Sequence, residues 1–580
     1  MAEVKQFKKI PYGISNFEKI RTENYAYVDK THFIEMLENE NTEYQFLIRP
    51  RKFGKSLFLT TLFHYYDICS KESFQTLFGD LYIGKNPTEK RNSCFVLKFQ
   101  FSGLDTSSVE DFKVSFTEAI GSSIQSFLTE HRLIIPNYEE RKKEASHIKS
   151  VRKNIEYAFD IIKSFGKKAY IIIDEYDHFA NDLIAQGSNL SVAQYKQLIW
   201  ANGVVRDFYE TLKDGTQTVV DKIFITGITP IMLDDVTSGF NIANNLSVKE
   251  KYNEILGFTK DEVEQFRQDV GIDKSMIKVD IEYLYNGYLF HVDGKNKLYN
   301  SSMINYFFNE LMDEGKIKEL MDLNIKTDYG RIKMLLKKSS NLDKLNTIIE
   351  TNAIKSDVVA RFSIDKIHEP KNFISLLYYM GLITLDKNQI SGRPILKIPN
   401  YSIKTIYWEY LENMILERNP KMLYDPDVIA DGLEALAFED QYDNFFDCFQ
   451  KNFLANISNR DLENFSEKNV KFLLLSILFQ TNLYLPISEL ENSGGYTDLY
   501  LQRRTNLYPK MLNDWIWEIK YIKQADSKNT ALMEEKLNEA IEQLKRYKES
   551  NLFKDRTDVR YLAVVFTGKK EYRTEELTMI

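Results

Sequence analysis

The chain has 580 residues, 43% of them hydrophobic and 28% charged, with a formal net charge of −8. That length exceeds what one hydrophobic core usually serves, so several domains are expected, and the ordinary globular balance excludes a disordered or fibrous chain. The net acidity argues against a protein that coats nucleic acid by bulk attraction, while leaving room for a local basic groove.

The opening MAEVKQFKKI lacks the apolar centre of a signal peptide, and no run reaches the roughly 18 uncharged residues that span a bilayer. Cys69, Cys94 and Cys448 are far apart and odd in number, which suggests neither a disulfide framework nor a CxxC zinc site. The expectation is a cytoplasmic chain with no membrane partner. No internal repeat or low-complexity tract points to a solenoid or a linker-dominated chain.

Taken in order, short apolar runs at Gln45–Arg49, Cys94–Phe101, Ala169–Asp174 and Lys222–Thr226 alternate with longer segments of helical spacing. Over residues 1–260 that alternation predicts a parallel sheet covered by helices. From 261 to 420 the texture is helical, as at Asp261–Asp269 and Ser301–Met312. Within it, Asn372–Leu385 reads as a helix running through Gly381 into a strand, followed by a turn at Gly392–Pro394 and a strand at Ile395–Ile398, the order of a winged helix. Residues 421–580 return to an α/β pattern. A helix at Glu467–Gln480 precedes strands near Tyr484–Ile487, Thr497–Leu501, Asp514–Tyr521 and Val559–Phe566, with an amphipathic helix at Ala531–Tyr547 before the last.

Two places carry chemistry. The first, Phe46 to Leu57, is a strand, a loop ending in Gly54-Lys55-Ser56, and a helix start. Backbone N–H groups of such a loop attract phosphate; Gly54 lets the backbone approach closely, Lys55 reaches the β and γ phosphates and Ser56 is placed to ligate Mg²⁺. The usual pattern has glycine where Arg49 stands, so the tripeptide alone is weak. Support comes from the apolar run Ala169–Ile173, which ends in Asp174-Glu175: acids at the end of a buried strand are costly unless they meet a metal or a partner. In such machines Asp174 holds the Mg²⁺ shell and Glu175 polarises the attacking water. Asp177 is expected chiefly to cap the next helix, the alternative being a part in catalysis. Thr226 and Thr229, at the tip of Lys222–Pro230, read either as a sensor of the γ phosphate or as a Thr-rich strand end. Arg49, Arg51 and Arg206 are the arginines to weigh as a finger, and none is singled out.

The second place is C-terminal. Metal-dependent phosphodiester cleavage needs acids that hold divalent ions and a cation near the water or the scissile phosphate. Asp498 lies in GGYTDLYL, and Glu518-Ile519-Lys520 in WIWEIKYIK, where period two places Glu518 and Lys520 on one face. Trp515, Trp517, Ile519 and Tyr521 make the other face apolar. Gln543 and Tyr547 follow one turn apart on the amphipathic helix. Glu467, at the start of its helix, is a further ligand or supporting acid, or simply an acid that suits the helix dipole. The seven histidines show no ligand spacing.

With IPYGISNFEKIR, YVDKT, LIRPRKFGKSLFL, IIIDEYD and FITGITP, the N-terminal half resembles the AAA-ATPase-like family found largely in bacteria, and Arg49 matches that family's RPR-type loop. The likeness runs on through YNGYLF and LYNSSM to about Asn300. The C-terminus resembles the PD-(D/E)XK nuclease superfamily, often fused to this ATPase: Asp498, Glu518 and Lys520 match its motif, and Gln543 with Tyr547 matches the QxxxY helix of its recombination-exonuclease branch. Tyr496 stands where relatives often carry arginine. The resemblance implies a P-loop NTPase domain over 1–260, a linking region with a winged helix over 261–420 and a restriction-endonuclease-like α/β core over 421–580. It further implies ATP and Mg²⁺ as cofactors, Mn²⁺ as an alternative at the nuclease site, DNA as partner, self-association to supply an arginine, and antiviral or mobile-element biology. The competing reading is a nucleotide-switched regulator that binds DNA or a protein through an inactive nuclease fold; a third is an ATPase acting on another protein.

Overall fold

The computed structural model describes residues 6–181, 189–200, 203–231, 244–322, 325, 339–390, 392–418, 426–457, 466–479, 481–568 and 571–577. They divide into two compact units, residues 1–313 with 321–401, and residues 314–320 with 402–580. Of the stretch 261–420, expected as a region of its own, 261–313 and 321–401 belong to the first unit, while 314–320 and the residues from 402 belong to the second; the expected boundary at 420 and 421, and Gln480, lie outside the described residues.

In the first unit five strands, β1 (Tyr44–Ile48), β2 (Phe95–Gln100), β3 (Ala169–Asp174), β4 (Val220–Gly227) and β5 (Asn244–Asn245), form a sheet in the order β2-β3-β4-β1-β5. Every pairing is parallel, as the near-continuous apolar runs predict. Helices cover it because their sequences keep an apolar stripe: in Val109–Glu130, capped by Ser108, the residues Phe112, Phe116, Ile120, Ile124 and Phe127 are buried at spacings of three and four. Strand β4 lies between β1 and β3, so the loop after β1 and the acids after β3 meet across the tip of a third strand.

The expected helix, strand, turn and strand are present at Pro370–Tyr379, β7 (Thr384–Ile390) and β8 (Arg393–Lys397), with β6 (Ala353–Lys355) completing a sheet of order β6-β8-β7. Gly381 makes the turn after the helix at φ 82°, and a Cβ there would stand 2.8 Å from the Pro50 ring. The Pro370–Tyr379 helix buries Asn372 through Tyr379, and Tyr378 donates to the carbonyl of Phe290 at 3.1 Å. The helix of the expected winged-helix order is therefore packed within the first unit.

The second unit holds a mixed sheet of order β13-β12-β11-β10-β9, with β9 (Tyr484–Asn492), β10 (Gly495–Arg503), β11 (Asp514–Ile522), β12 (Val559–Thr567) and β13 (Glu571–Glu576). Only β11 and β12 run parallel, joined by the crossover helix Thr530–Lys548. The four expected strands and both helices appear within a few residues of their expected limits; β13 and the helices Pro426–Glu439 and Asp443–Asn452 were not foreseen. Trp515 and Trp517 are fully buried, Trp517 against Phe445 and Phe446, which makes β11 a core strand. Among the described residues no helix is long and apolar enough to cross a membrane.

Asp67, Cys69 and His131 lie close enough to suggest a metal site. Both imidazole nitrogens are already engaged, Nδ1 with the Phe127 carbonyl at 2.8 Å and Nε2 with Asp67 at 3.0 Å. Burial alone would discharge His131, but the Asp67 carboxylate outweighs it and pushes the imidazolium up to about 10. This is an ion pair that fastens β2 to the end of the Val109–Glu130 helix, since Asp67 also accepts the Val96 N–H. Asp67→Asn should cost about 3–5 kcal/mol by removing the charge that keeps the buried His131 protonated and paired, read from urea unfolding. The pair's contribution is complete below the ordinary histidine value of 6.5 and fades as pH rises through about 10; a His131→Gln chain should lack that slope.

Candidate functional sites

Gly54 sits at φ 95° immediately before the helix Lys55–Tyr66, a backbone that glycine adopts without strain. The Lys55 ammonium is buried and donates to the carbonyls of Arg49 and Pro50, each at 2.9 Å. Burial pushes it down to about 8, against the pull of Asp174, Asp177 and Glu175. A lysine folded back on its own loop has its charge turned towards carbonyl dipoles that a phosphate would replace.

Across the sheet, Asp174 ends β3 with both carboxylate oxygens occupied. Ser56 Oγ donates to one at 2.6 Å, and Thr226 Oγ1 and the Glu175 N–H donate to the other at 2.7 and 3.0 Å. Glu175 turns the chain at φ 52°. Burial, then the Asp174 charge, hold its carboxyl above the ordinary range, with His178 Nδ1 standing 3.5 Å away. Lys55, Ser56, Asp174 and Glu175 are thus brought together as expected.

Two expectations change and one widens. Thr226 holds Asp174 and does not line the cavity. Asp177 is fully buried and stands at the start of the next helix, accepting from the Asn181 side chain, and it also accepts the N–H groups of Ile228 and Thr229 and the Thr229 hydroxyl, so it ties the tip of β3 to that of β4 as well. The Arg49 guanidinium, 1% exposed, donates to the carbonyls of Ile48, Ser247 and Tyr252 at 2.7–2.9 Å and lies 4.0 Å from the Phe290 ring. It is a rivet between loop and scaffold and does not line the cavity. Arg206 pairs with Glu210 on its own helix, whereas Arg51 lines the cavity.

A cavity of about 540 Å³ opens from Gly54, Lys55, Ser56 and Glu175. Its far wall comes from segments to which the sequence assigned no role: Pro11–Ser15, Tyr27, Lys30, Leu256–Phe258 and Ser301–Asn305. Those segments are fastened to the loop itself, with Asn300 Nδ2 donating to the Arg51 carbonyl, Ser301 Oγ to that of Lys52 and the Gly257 N–H to that of Phe53, each at 3.2 Å. A cavity with a polar loop at one end and Tyr27, Phe258 and Phe266 towards the other suits a nucleoside triphosphate.

In the second unit Asp498 lies within β10, where Oδ2 accepts the Ile519 N–H of β11 at 2.9 Å, between Glu518 and Lys520. Lys520 donates to Glu518 Oε1 at 2.7 Å, and Ile519 between them is fully buried on the opposite face. Glu518 Oε2 is buried with no hydrogen-bond partner among the described residues. Burial, then Asp498, raise Glu518 to about 8 against the pull of Lys520. Asp514, four residues earlier on the same strand, is the contrast: its carboxylate accepts from Tyr500, Arg503 and Arg556. That acid is satisfied by the fold, while Glu518 has an oxygen that it leaves unsatisfied, and a divalent cation beside Asp498 fits it.

Glu467 joins the set: burial raises its pKa, and Lys520, Asp498 and Lys471 act on it. The Tyr547 hydroxyl donates to the Tyr496 carbonyl at 2.6 Å, and burial together with Glu518 and Asp498 holds it well above the ordinary phenol value. Gln543 Oε1 is buried without a partner among the described residues. One residue went unread: Lys471, one turn beyond Glu467, donates to Asp498 Oδ1 at 2.7 Å.

Residues 11–237 match the family described as predicted AAA-ATPase, and residues 465–576 match the PD-(D/E)XK nuclease superfamily. The chain joins an AAA-ATPase-like domain to a nuclease-superfamily domain. An uncharacterized protein in the vnfD 5′ region of Azotobacter chroococcum mcd 1 is 28% identical over 284 residues, 48% of each chain, so the chain matches about half the length of that relative. The solved Walker-type ATPase paby2304 of Pyrococcus abyssi gives a TM-score of 0.39 at 14% identity, covering 69% of this chain and 98% of that one. Domains of the two matched kinds generally use ATP and divalent metal ions. The far wall of the cavity, from Leu256 to Asn305, lies beyond the residues matched to the ATPase family.

Restoring the usual glycine of a phosphate loop by Arg49→Gly should harm this ATPase domain. Losing three charge-assisted bonds in a buried site should cost about 3–5 kcal/mol, seen as a lower melting temperature with nucleotide absent.

Proposed function

We propose that the chain is an ATP-gated, metal-dependent deoxyribonuclease. The observation that carries the reading is Glu518, a buried acid with one oxygen unpartnered beside Asp498 and Lys520, in a domain of nuclease ancestry. Asp498 and Glu518 would hold Mg²⁺, with Mn²⁺ as a substitute, and Glu467 would support them. Bound there, the ion supplies positive charge at the scissile phosphate. Lys520 orients the attacking water or the phosphate, while Gln543 and Tyr547 steady the substrate strand or the acids.

In the ATPase domain Lys55 leaves the Arg49 and Pro50 carbonyls for the β and γ phosphates, and Ser56 and Asp174 would hold the nucleotide's Mg²⁺, which shields the phosphate charge. Glu175, with its raised proton affinity, takes up the proton of the attacking water. Gating is supported by the packing of Gly381 on Pro50 and of Tyr378 on Phe290. These contacts join the phosphate loop and the Phe290 segment to the helix Pro370–Tyr379, upstream of β7, β8 and Ser402, where the chain passes into the second unit.

The test is cleavage of linear and circular DNA with Mg²⁺, with and without ATP. Wild type should cut in the presence of ATP, Lys520→Ala should not cut under any condition, and Lys55→Ala should lose the ATP dependence. A wild type that hydrolyses ATP and cuts no DNA with either Mg²⁺ or Mn²⁺ overturns the reading in favour of a nucleotide-switched binding protein. Separately, Glu175→Gln should still bind ATP while turnover falls by about 10²–10⁴-fold, measured by phosphate release.

A further inference from the structure

Lys471 belongs to the helix Glu467–Leu478, whose buried residues, Val470 and all of Leu473–Leu478, are apolar apart from Ser476. Within that apolar stripe it is the one inward cation among the described residues, its side chain 15% exposed. Taking an ammonium out of water is costly without a strong partner. Its partner is Asp498 Oδ1 at 2.7 Å, while the other oxygen of Asp498 is fixed by the Ile519 N–H. On the β11 side, Lys520 holds Glu518 in the same manner. Each of the two central acids is thus matched by its own lysine, one from a helix and one from a strand. Were a divalent cation held by these carboxylates, both ammonium groups would lose their partners and be placed to meet an anionic phosphate.

Resting on the nuclease reading above, we propose that Lys471 is a second phosphate-binding residue of this site, held by Asp498 until metal and substrate arrive. It contacts the DNA backbone and reads no base, and with Lys520 it flanks the acids from two different elements.

The test uses the full chain in Ca²⁺, as a binding condition without turnover, with short fluorescein-labelled single- and double-stranded DNA read by anisotropy. Lys471→Met and Lys471→Gln should each weaken binding of the preferred DNA roughly tenfold and lower the salt-dependence slope by about one. Lys471→Arg, which keeps the charge, should restore most of the affinity. Mn²⁺ affinity measured by calorimetry without DNA should be no weaker in the Met and Gln variants, because a competitor for Asp498 has gone. Folded Met or Gln variants that keep wild-type DNA affinity and slope overturn the proposal, as does a loss of Mn²⁺ affinity that parallels the loss of DNA, which would make Lys471 a support for Asp498 alone. A wild type that binds no DNA in Ca²⁺ overturns the nuclease reading itself, and this inference with it.

Discussion

A carboxylate buried at or within a sheet strand is the constraint around which both units are built. Left without partners, such a group is costly to bury; held by donors, it is fixed in direction. Asp174 receives a serine, a threonine and its neighbour's N–H, and Asp498 receives a lysine and a strand N–H. Apart from the Glu175 N–H, the donors come from other elements, so correct packing of the sheet is what aims the acid. The interleaving of β4 between β1 and β3 follows the same logic, since Thr226 reaches Asp174 only from there.

Basic residues mirror the acids. Lys55, buried, and Lys471 and Lys520, partly buried, are cations engaged with carbonyls or carboxylates that a bound phosphate or metal would displace them from. Arg49 is the exception, fixed in a nest of carbonyls beneath Phe290, and its rigidity suits a rivet. Guanidinium forks match several carbonyls at once, whereas an ammonium on a flexible stem can change partners. The division of labour between Arg49 and Lys55, six residues apart, rests on that difference.

Much of this was legible in the sequence. Apolar runs ending in Asp174-Glu175 and the alternation in WIWEIKYIK specify strand ends and strand faces directly, because side-chain period and burial are local properties. Both sites assemble from such local signals. What stayed hidden was contact between distant segments. The role of Asp177 depends on the tip of β4, and that of Arg49 on carbonyls of Ser247 and Tyr252. The cavity wall from Pro11–Ser15 and Ser301–Asn305 lay in IPYGIS and LYNSSM, motifs visible in the resemblance but with no chemistry of their own. Lys471 was missed for a similar reason: a lysine four residues after a glutamate on a helix is an ordinary solvated pair until the sheet beneath it is known. The helix Pro370–Tyr379 shows the converse, since its pattern was read correctly while its burial beside the phosphate loop was set by Gly381 and Pro50.

If each acid set is a cation site, crystals grown with Mn²⁺ and a non-hydrolysable ATP analogue should give one anomalous Mn²⁺ peak against Ser56 and Asp174 and another against Asp498 and Glu518. Saturating Mn²⁺ that appears only at the nucleotide, with Glu518 Oε2 still without a partner, would contradict it.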